Sequence, residues 1–267
     1  MKENEIKELL NGNTSFRGDC PVCGGSNTFS INRKRGKVKW KCFKAHCKEK
    51  GAASINRSFK ELSDQFRVRY HRQGIEQVIN TYEIPSYFTG IREKEYIFQY
   101  FSNVNAIPLF ENRIIKLYYD PKEDRAVFVV ERGGAIIDAI GKALNRYITP
   151  KWYRYNNSNK SFLLRNRNNK DTLVITEDIP SAITVAYNYN SMALMGTSLK
   201  TEDVLDILSF KRCIIALDPD AYSKGIAMAK RLDPFLEVEA IRIDDDLKYY
   251  TPSYAKDMIE ERTKYGK

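Results

Sequence analysis

Carboxylates follow three separate apolar runs in the C-terminal part of the sequence. Glu177 follows TLVIT, Asp218 and Asp220 follow CIIAL, and three aspartates at 244–246 follow VEAIRI. A turn or a helix cap explains one such acid, but it does not explain acids after three runs. Clustered carboxylates resist ionisation unless a cation lies among them, and oxygen ligands suit Mg²⁺ or Mn²⁺. We therefore predict a catalytic Mg²⁺ or Mn²⁺ at Glu177, Asp218 and Asp220.

The sequence leaves open which aspartate of 244–246 joins this site. Asp246, directly before Leu-Lys, is the preferred one. The two histidines, His46 and His71, lie in or near a cysteine-rich N-terminal segment. Neither histidine is therefore expected to act as a general base at the acids, and we expect the metal to activate the attacking hydroxyl of any group transfer there.

Alternating strands and helices are predicted to position these acids. The apolar segments 172–176, 191–195, 213–217 and 238–243 are typical of strands, and helical segments separate them. Such alternation indicates a parallel sheet that helices cover on both faces. Sites in these sheets lie at the carboxyl ends of the strands, where all of the acids fall.

Four of the five cysteines lie close together near the N-terminus. Cys20 and Cys23 occur in CPVCGG, and Cys42 and Cys47 occur in KCFKAHC. Short-spaced pairs indicate a metal site, and four thiolates suit one structural Zn²⁺. The segments TFSIN, RKRG and KVKWKCF between the pairs predict strand, turn and strand, which makes a zinc ribbon. His46 remains an alternative to Cys47 as the fourth ligand.

Positive charge is concentrated in two segments. The chain of 267 residues has a formal net charge of +10, and residues 1–56 hold twelve Lys and Arg against five Asp and Glu. Residues 141–170 hold eight basic residues and no acidic one, interleaved with aromatic rings. Cations with aromatics suit single-stranded nucleic acid, and a solvated surface over core aromatics is the alternative. The expected contacts are Arg33, Lys34, Arg35, Lys39 and Trp40 in the ribbon, and Arg146 and Arg154 in the second segment.

No apolar run approaches the roughly 18 to 20 residues that span a bilayer, and MKENEIKELL has no signal-peptide pattern. We therefore expect a protein of the cytoplasm, or of the host cytoplasm if the chain is viral, with no membrane partner.

A glutamate after one strand, a DxD pair after another, a four-cysteine ribbon in front and a basic segment between them resemble the DNA primases that join a zinc ribbon to a TOPRIM domain, especially the phage type. The resemblance covers almost the whole chain. It implies that the four cysteines are the ribbon ligands, that Glu177 is the TOPRIM glutamate, and that Asp218 and Asp220 are its DxD pair.

The resemblance also implies roles for basic residues. GKALNRYITPKW is similar to the segment before TOPRIM that supplies cations to nucleotides, which implies that role for Lys142 and Lys151. Arg113, at the start of the predicted strand RIIKLYY, resembles a basic residue of the same subdomain.

The implied fold is α/β: an N-terminal zinc ribbon, a mixed α+β subdomain and a TOPRIM-like parallel α/β sheet. The expected boundaries are 1–56 for the ribbon, 57–68 for a linker, 69–170 for the basic subdomain of the polymerase core, 171–247 for TOPRIM and 248–267 for a C-terminal helix.

The implied activity is synthesis of short RNA primers on single-stranded DNA from nucleoside triphosphates during DNA replication. The chain has no GxxxxGK[ST] phosphate loop, so a replicative helicase would act in trans. Three features depart from the family pattern: Asp178 replaces a glycine, Ser181 replaces an aspartate, and Gly225 comes later after the DxD pair than is usual. A catalytically degenerate single-strand-binding or regulatory protein is therefore one alternative. A TOPRIM nuclease is another, because the TOPRIM domain also occurs in nucleases.

Overall fold

A computed structural model describes residues 3–10, 15–34, 37–54, 81–156, 158–169 and 171–265. The linker expected at 57–68 lies outside these residues. Within them, no helix has the length and apolar character needed to cross a membrane.

The N-terminal unit is a helix beside a four-stranded antiparallel sheet. Its core is small: Ile6 of the helix packs with Phe29, Ile31 and Val38 and with the buried cysteines. The two predicted strands are confirmed as the antiparallel pair β2 and β3, and a helix and two flanking strands extend the pair. The expected turn between them falls partly outside the described residues. The elements are α1 (Glu3–Leu10), β1 (Ser15–Gly18), β2 (Phe29–Lys34), β3 (Lys37–Cys42) and β4 (Lys50–Ser54), with the sheet order β1-β2-β3-β4.

The middle unit is a second antiparallel sheet packed against two helices. The hairpin turn at Gly133-Gly134 has φ of +58° and +84°, the left-handed conformation that favours glycine in tight hairpins. The strand predicted from Arg113 begins only at Leu117, because a turn with positive φ at Arg113 follows the second helix. The elements are α2 (Glu95–Asn103), α3 (Ala106–Glu111), β5 (Leu117–Asp120), β6 (Arg125–Arg132), β7 (Ala135–Ala143) and β8 (Trp152–Arg154), with the sheet order β5-β6-β7-β8.

The C-terminal unit is the predicted parallel sheet, with one addition. Its four parallel strands agree with the four apolar segments, and β9, from the segment 69–170, adds an antiparallel edge. The strands are β9 (Phe162–Leu164), β10 (Thr172–Thr176), β11 (Asn190–Ala193), β12 (Arg212–Ile215) and β13 (Glu237–Ala240), in the order β13-β12-β10-β11-β9. The helices are α4 (Ile179–Ala186), α5 (Val204–Ile207), α6 (Tyr222–Leu232) and α7 (Pro252–Tyr265).

Helices cover both faces of this sheet. Ile207 of α5 and Met228 of α6 pack on one face, and Val185 of α4 and Ile259 of α7 pack on the other. Strands buried on both faces read as continuous apolar runs, which is why the sequence revealed them.

The middle and C-terminal units share one hydrophobic core. The Phe128 ring lies 5.3 Å from Phe101 and 6.2 Å from Phe162, measured between centroids, and Ile179 and Ile183 of α4 belong to the same cluster. Protein interiors are close-packed and hardly compressible. The shared core therefore holds the side chains on either side of the junction in fixed positions. The fold is therefore α/β, with an antiparallel cysteine-containing unit, a mixed unit and a parallel sheet, as predicted.

Candidate functional site

The four N-terminal cysteines converge as predicted. The Sγ atoms of Cys20, Cys23, Cys42 and Cys47 lie within 4.8 Å of one another, with Cys20–Cys47 at 3.9 Å and Cys23–Cys42 at 3.8 Å. In a tetrahedron with Zn–S bonds of about 2.3 Å, sulfurs are about 3.8 Å apart. Exposed His46 is not part of the group. The cysteines therefore fit one structural Zn²⁺.

Backbone geometry and charge prepare this cluster for a cation. The first knuckle closes through Gly24 N–H to Cys20 O at 2.8 Å, with Gly24 at φ +64°. A hydrogen bond from Thr28 lowers the pKa of Cys42 to about 6. A backbone bond from Glu49 favours the Cys47 thiolate, but burial and the neighbouring sulfurs outweigh it and raise its pKa to about 12. Bound Zn²⁺ would relieve this repulsion among thiolates.

The expected nucleic-acid contacts of the ribbon have different environments. Lys39 is exposed, whereas Arg33 lies on the buried face of β2. The Trp40 indole donates to Glu49 at 2.8 Å and covers Gly51. Lys34 ends β2, and Arg35 lies outside the described residues. Sequence reasoning missed Phe43, which is 60% exposed beside the cysteine cluster.

The predicted acids gather at one edge of the parallel sheet, where β10, β12 and β13 end. We call Glu177, Asp178, Asp218, Asp220 and Asp246 the acidic edge. Glu177 follows β10 directly, and its carbonyl accepts from Met195 N–H at 2.9 Å. That bond ties the end of β10 to the chain after β11, so the backbone that carries Glu177 is fixed.

Asp178 begins the helix that follows Glu177. Its side chain accepts from the Ser181 backbone N–H at 2.9 Å, and Pro180 occupies the first turn of α4. The Ser181 hydroxyl is buried and has no hydrogen-bond partner among the described residues. Asp178 and Ser181, which both depart from the family pattern described above, therefore form a helix cap. Asp178 also adds a carboxylate to the acidic edge.

The Asp218-Pro-Asp220 turn follows β12. The Asp218 carbonyl accepts from Ala221 N–H at 2.9 Å, which closes a short 3₁₀ turn before α6. The Asp218 side chain caps nothing, and Asp220 is exposed. Helix capping therefore does not account for either carboxylate.

The carboxylates of the acidic edge repel one another. Burial, followed by the charges of Asp246 and Glu177, raises the pKa of Asp218 to about 7. Burial likewise raises the pKa of Glu177, with Asp220 as the next cause. Because these acids act on one another, they occupy one site. Two carboxyls that resist ionisation, with oxygen donors only, fit a hard divalent cation.

Sequence reasoning missed the cation that the edge already contains. Lys248 Nζ lies 3.1 Å from Asp178 Oδ2 and also pairs with Asp246. Burial opposes the charge of Lys248, but the hydrogen bond and charge of Asp246 and those of Asp178 outweigh it and raise the pKa of the amine. Asp244 instead pairs with Arg262. The carboxylates of the acidic edge are more widely spaced than the cysteine thiols. Within the described part of the chain, only the four cysteines bring three or more His, Cys, Asp or Glu ligand atoms within 4.8 Å of one another.

Lys142 of β7 faces the acidic edge from the middle unit. Its Nζ lies 4.7 Å from the Tyr100 ring centroid and 5.3 Å from that of Trp152. Burial lowers the pKa of Lys142, Lys151 lowers it further, and Asp178 opposes both. The charges of Lys151 and Asp178 thus act on Lys142. Resemblance to a family indicated these lysines, but only the fold brings them to the acids.

The remaining predicted cations lie elsewhere. Arg154 pairs with fully buried Asp138 at 2.7 Å, so part of its charge is already neutralised. Arg146 is exposed and bonds Tyr147 at 2.8 Å. Arg113 lines a cavity between the middle and C-terminal units.

Two solved structures resemble this chain in arrangement. The crystal structure of the Aquifex aeolicus primase zinc-binding and RNA polymerase domains gives a TM-score of 0.42 at 14% identity, over 98% of this chain and 82% of that one. A bacteriophage T7 complex, in which lagging-strand DNA polymerase interacts with primase domains bound to an RNA/DNA hybrid and dTTP, gives 0.41 at 14% identity, over 92% and 96%. No protein-family model matches the sequence, and no curated protein matches it.

Proposed function

We propose that the protein is a DNA primase that synthesises short RNA primers on single-stranded DNA by metal-dependent nucleotidyl transfer. The observation that carries this proposal is the acidic edge opposite Lys142, in a junction held by one shared core. Acids that bind a divalent cation, facing amines that bind phosphate, suit a nucleoside triphosphate.

Each part of the junction has a role in this reaction. Glu177, Asp218 and Asp220 would hold Mg²⁺ or Mn²⁺, and Asp246 would contribute from the chain that follows β13. The metal, when bound, supplies charge neutralisation at the triphosphate and lowers the pKa of the attacking hydroxyl. Lys142 and Lys151 bind phosphate oxygens and offset the negative charge that develops in the transition state.

Lys248 holds the carboxylates of Asp178 and Asp246 in place. These ion pairs cost little side-chain conformational entropy, because all three side chains are already largely buried. Zn²⁺ would hold the N-terminal sheet, whose core is too small to be stable without a metal. The exposed Lys39 and Phe43 of that sheet would contact single-stranded template.

The deciding experiment is primer synthesis on a pool of single-stranded templates with labelled nucleotides and Mg²⁺. We expect short products from the wild type and none from Asp218→Asn. Asp171→Asn is the charge-matched control, because Asp171 lies at the opposite end of β10 in an exposed pair with Lys211. Cleavage of the template in place of synthesis would instead identify a nuclease.

A second candidate is a single-strand-binding protein on the same fold. The observation that favours it is Lys248, which already compensates two acids of the edge. This candidate requires full DNA binding, no synthesis on any template and no effect of Asp218→Asn, so the same assay distinguishes it.

A replicative helicase acting in trans is the partner we propose, with α7 as its contact. Tyr249 and Tyr254, before and within α7, are 68% and 57% exposed, and aromatic rings are enriched at protein interfaces. Replacing both Tyr249 and Tyr254 with alanine should abolish co-purification with the helicase, and unchanged association would refute this contact.

A further inference from the structure

A cavity of about 740 Å³ lies between the middle and C-terminal units. We call it the arginine pocket, because four arginines line it: Arg113, Arg132, Arg165 and Arg167. Its volume is in the range of small-molecule sites, about 300–1,000 Å³.

The arginine pocket is remote from the acidic edge. Helix α4 begins beside Glu177 and Asp178 and extends over eight residues, about 12 Å, away from them. The pocket is lined by the far end of this helix, at Ala186 and Tyr187. It is also lined by the loop at 166–168, which is bonded to the start of β11. It therefore lies at the opposite edge of the sheet.

The acids of the pocket are already neutralised. Glu131 pairs with Lys116 at 2.7 Å, and Asp206 pairs with Arg132 at 2.9 Å. Arg165, Arg113 and Arg167 are exposed. Among the residues that the structure describes, neither Arg113 nor Arg167 has an ion pair, a side-chain hydrogen bond or a ring contact. The pocket consequently has uncompensated positive charge.

The arginines are held by ordered backbone. Asn166 donates to Ala186 O and accepts from Asn168 N–H, both at 2.8 Å, which fixes the loop that carries Arg167. Arg113 has φ +57°, in the left-handed region that favours glycine. An arginine in such a conformation is an outlier of the kind found at functional sites.

Part of the wall of the pocket is apolar, and it includes one aromatic ring. It includes Leu109, Ile115 and Leu164, together with the half-buried ring of Tyr187. Ile114 is 46% exposed at its rim. Arginine guanidinium groups bind phosphate through paired hydrogen bonds, and an apolar surface with an aromatic ring suits a base. The geometry points to a binding site for a nucleoside phosphate, separate from the acidic edge and not dependent on primer synthesis.

The test is binding of ATP and of a short oligothymidylate to the zinc-loaded full chain in Mg²⁺-free buffer, by calorimetry. We compare wild type with Arg113→Gly/Arg167→Gln. Losing two charge-assisted contacts should weaken binding of at least one probe by about tenfold or more. Loss for ATP indicates a mononucleotide site, and loss for the oligonucleotide alone indicates a strand path.

The design separates binding from folding. Glycine relieves the left-handed backbone at 113, so Arg113→Gly alone should melt no lower than wild type while it weakens binding. Arg231→Gln/Arg242→Gln removes the same charge from exposed positions and should leave affinity within about twofold.

The inference is refuted if the wild type binds neither probe, or if both probes bind the Arg113/Arg167 variant as they bind wild type. Binding of both probes to Asp218→Asn should equal that of wild type. Loss of binding in that variant would place the probes at the acidic edge and would overturn the inference, whatever the outcome of the synthesis assay.

Discussion

Replacing Asp218 with asparagine should stabilise the metal-free protein at alkaline pH. The folded state raises the pKa of Asp218 from 3.8 to about 7, chiefly through burial. The folded protein therefore binds this proton more tightly than the unfolded chain. Stability from the protonated carboxyl is fully present below about pH 4 and is lost as pH rises through about 7. Asparagine has no proton to lose, so the variant escapes this loss.

The size of the effect follows from the shift. About three pKa units correspond to about 4 kcal/mol at 1.36 kcal/mol per unit. Asp218 is partly exposed, and solvent screening reduces this to about 1–2 kcal/mol. We expect Asp218→Asn to exceed wild type in free energy of unfolding by that amount at pH 8, with the gap narrowing towards pH 5.

The assay is urea denaturation of the zinc-loaded chain at both pH values, with and without Mg²⁺. Mg²⁺ should stabilise wild type at pH 8 and have little effect on Asp218→Asn, because a ligand stabilises only the state that binds it. Asp171→Asn should stay within about 0.5 kcal/mol of wild type, as exposed pairs contribute little. If Asp218→Asn is less stable than wild type at pH 8, Asp218 is a structural turn residue and the reasoning is refuted.

Three further predictions test other parts of the structure. Cys42→Ser should reduce bound zinc from one equivalent to none and leave the N-terminal sheet open to protease, since metal binding contributes about 10 kcal/mol or more to such folds; retained zinc with intact protection would contradict this. Lys142→Gln should raise the KM for nucleotides and lower synthesis by about tenfold or more, with Lys122→Gln as control, and equal kinetics in the two variants would remove Lys142 from the site. Tyr100→Phe should be neutral or stabilising by up to about 1 kcal/mol, because its buried hydroxyl has no hydrogen-bond partner among the described residues; a clear loss in a melting experiment would reveal a partner.

Local patterns in the sequence were sufficient for much of the fold. The cysteine spacing predicted the cluster because two knuckles and one hairpin bring all four thiols together over 28 consecutive residues. The four parallel strands were predictable because each is buried on both faces. The acids at their ends were predictable for the same reason, since parallel strands end at one edge.

Predictions that depended on the direction of a side chain were harder to make. Alternation along β2 turns Arg33 inward with Phe29 and Ile31, and the register of that strand is set by its neighbours. Arg154 bonds Asp138 across the β7–β8 pair. The charge of an arginine predicts neither the inward direction of Arg33 nor the pairing of Arg154 with Asp138.

The sequence by itself determined the cysteine cluster, the parallel sheet and the positions of Glu177, Asp218 and Asp220 along the chain, because each depends on neighbours close in sequence. Only the tertiary structure decided that Lys248 pairs with Asp178, seventy residues away, and that Lys142 approaches the acids from another sheet. It also decided that the arginine pocket forms where two units share a core. Such contacts depend on how whole layers pack, and no local periodicity encodes that packing.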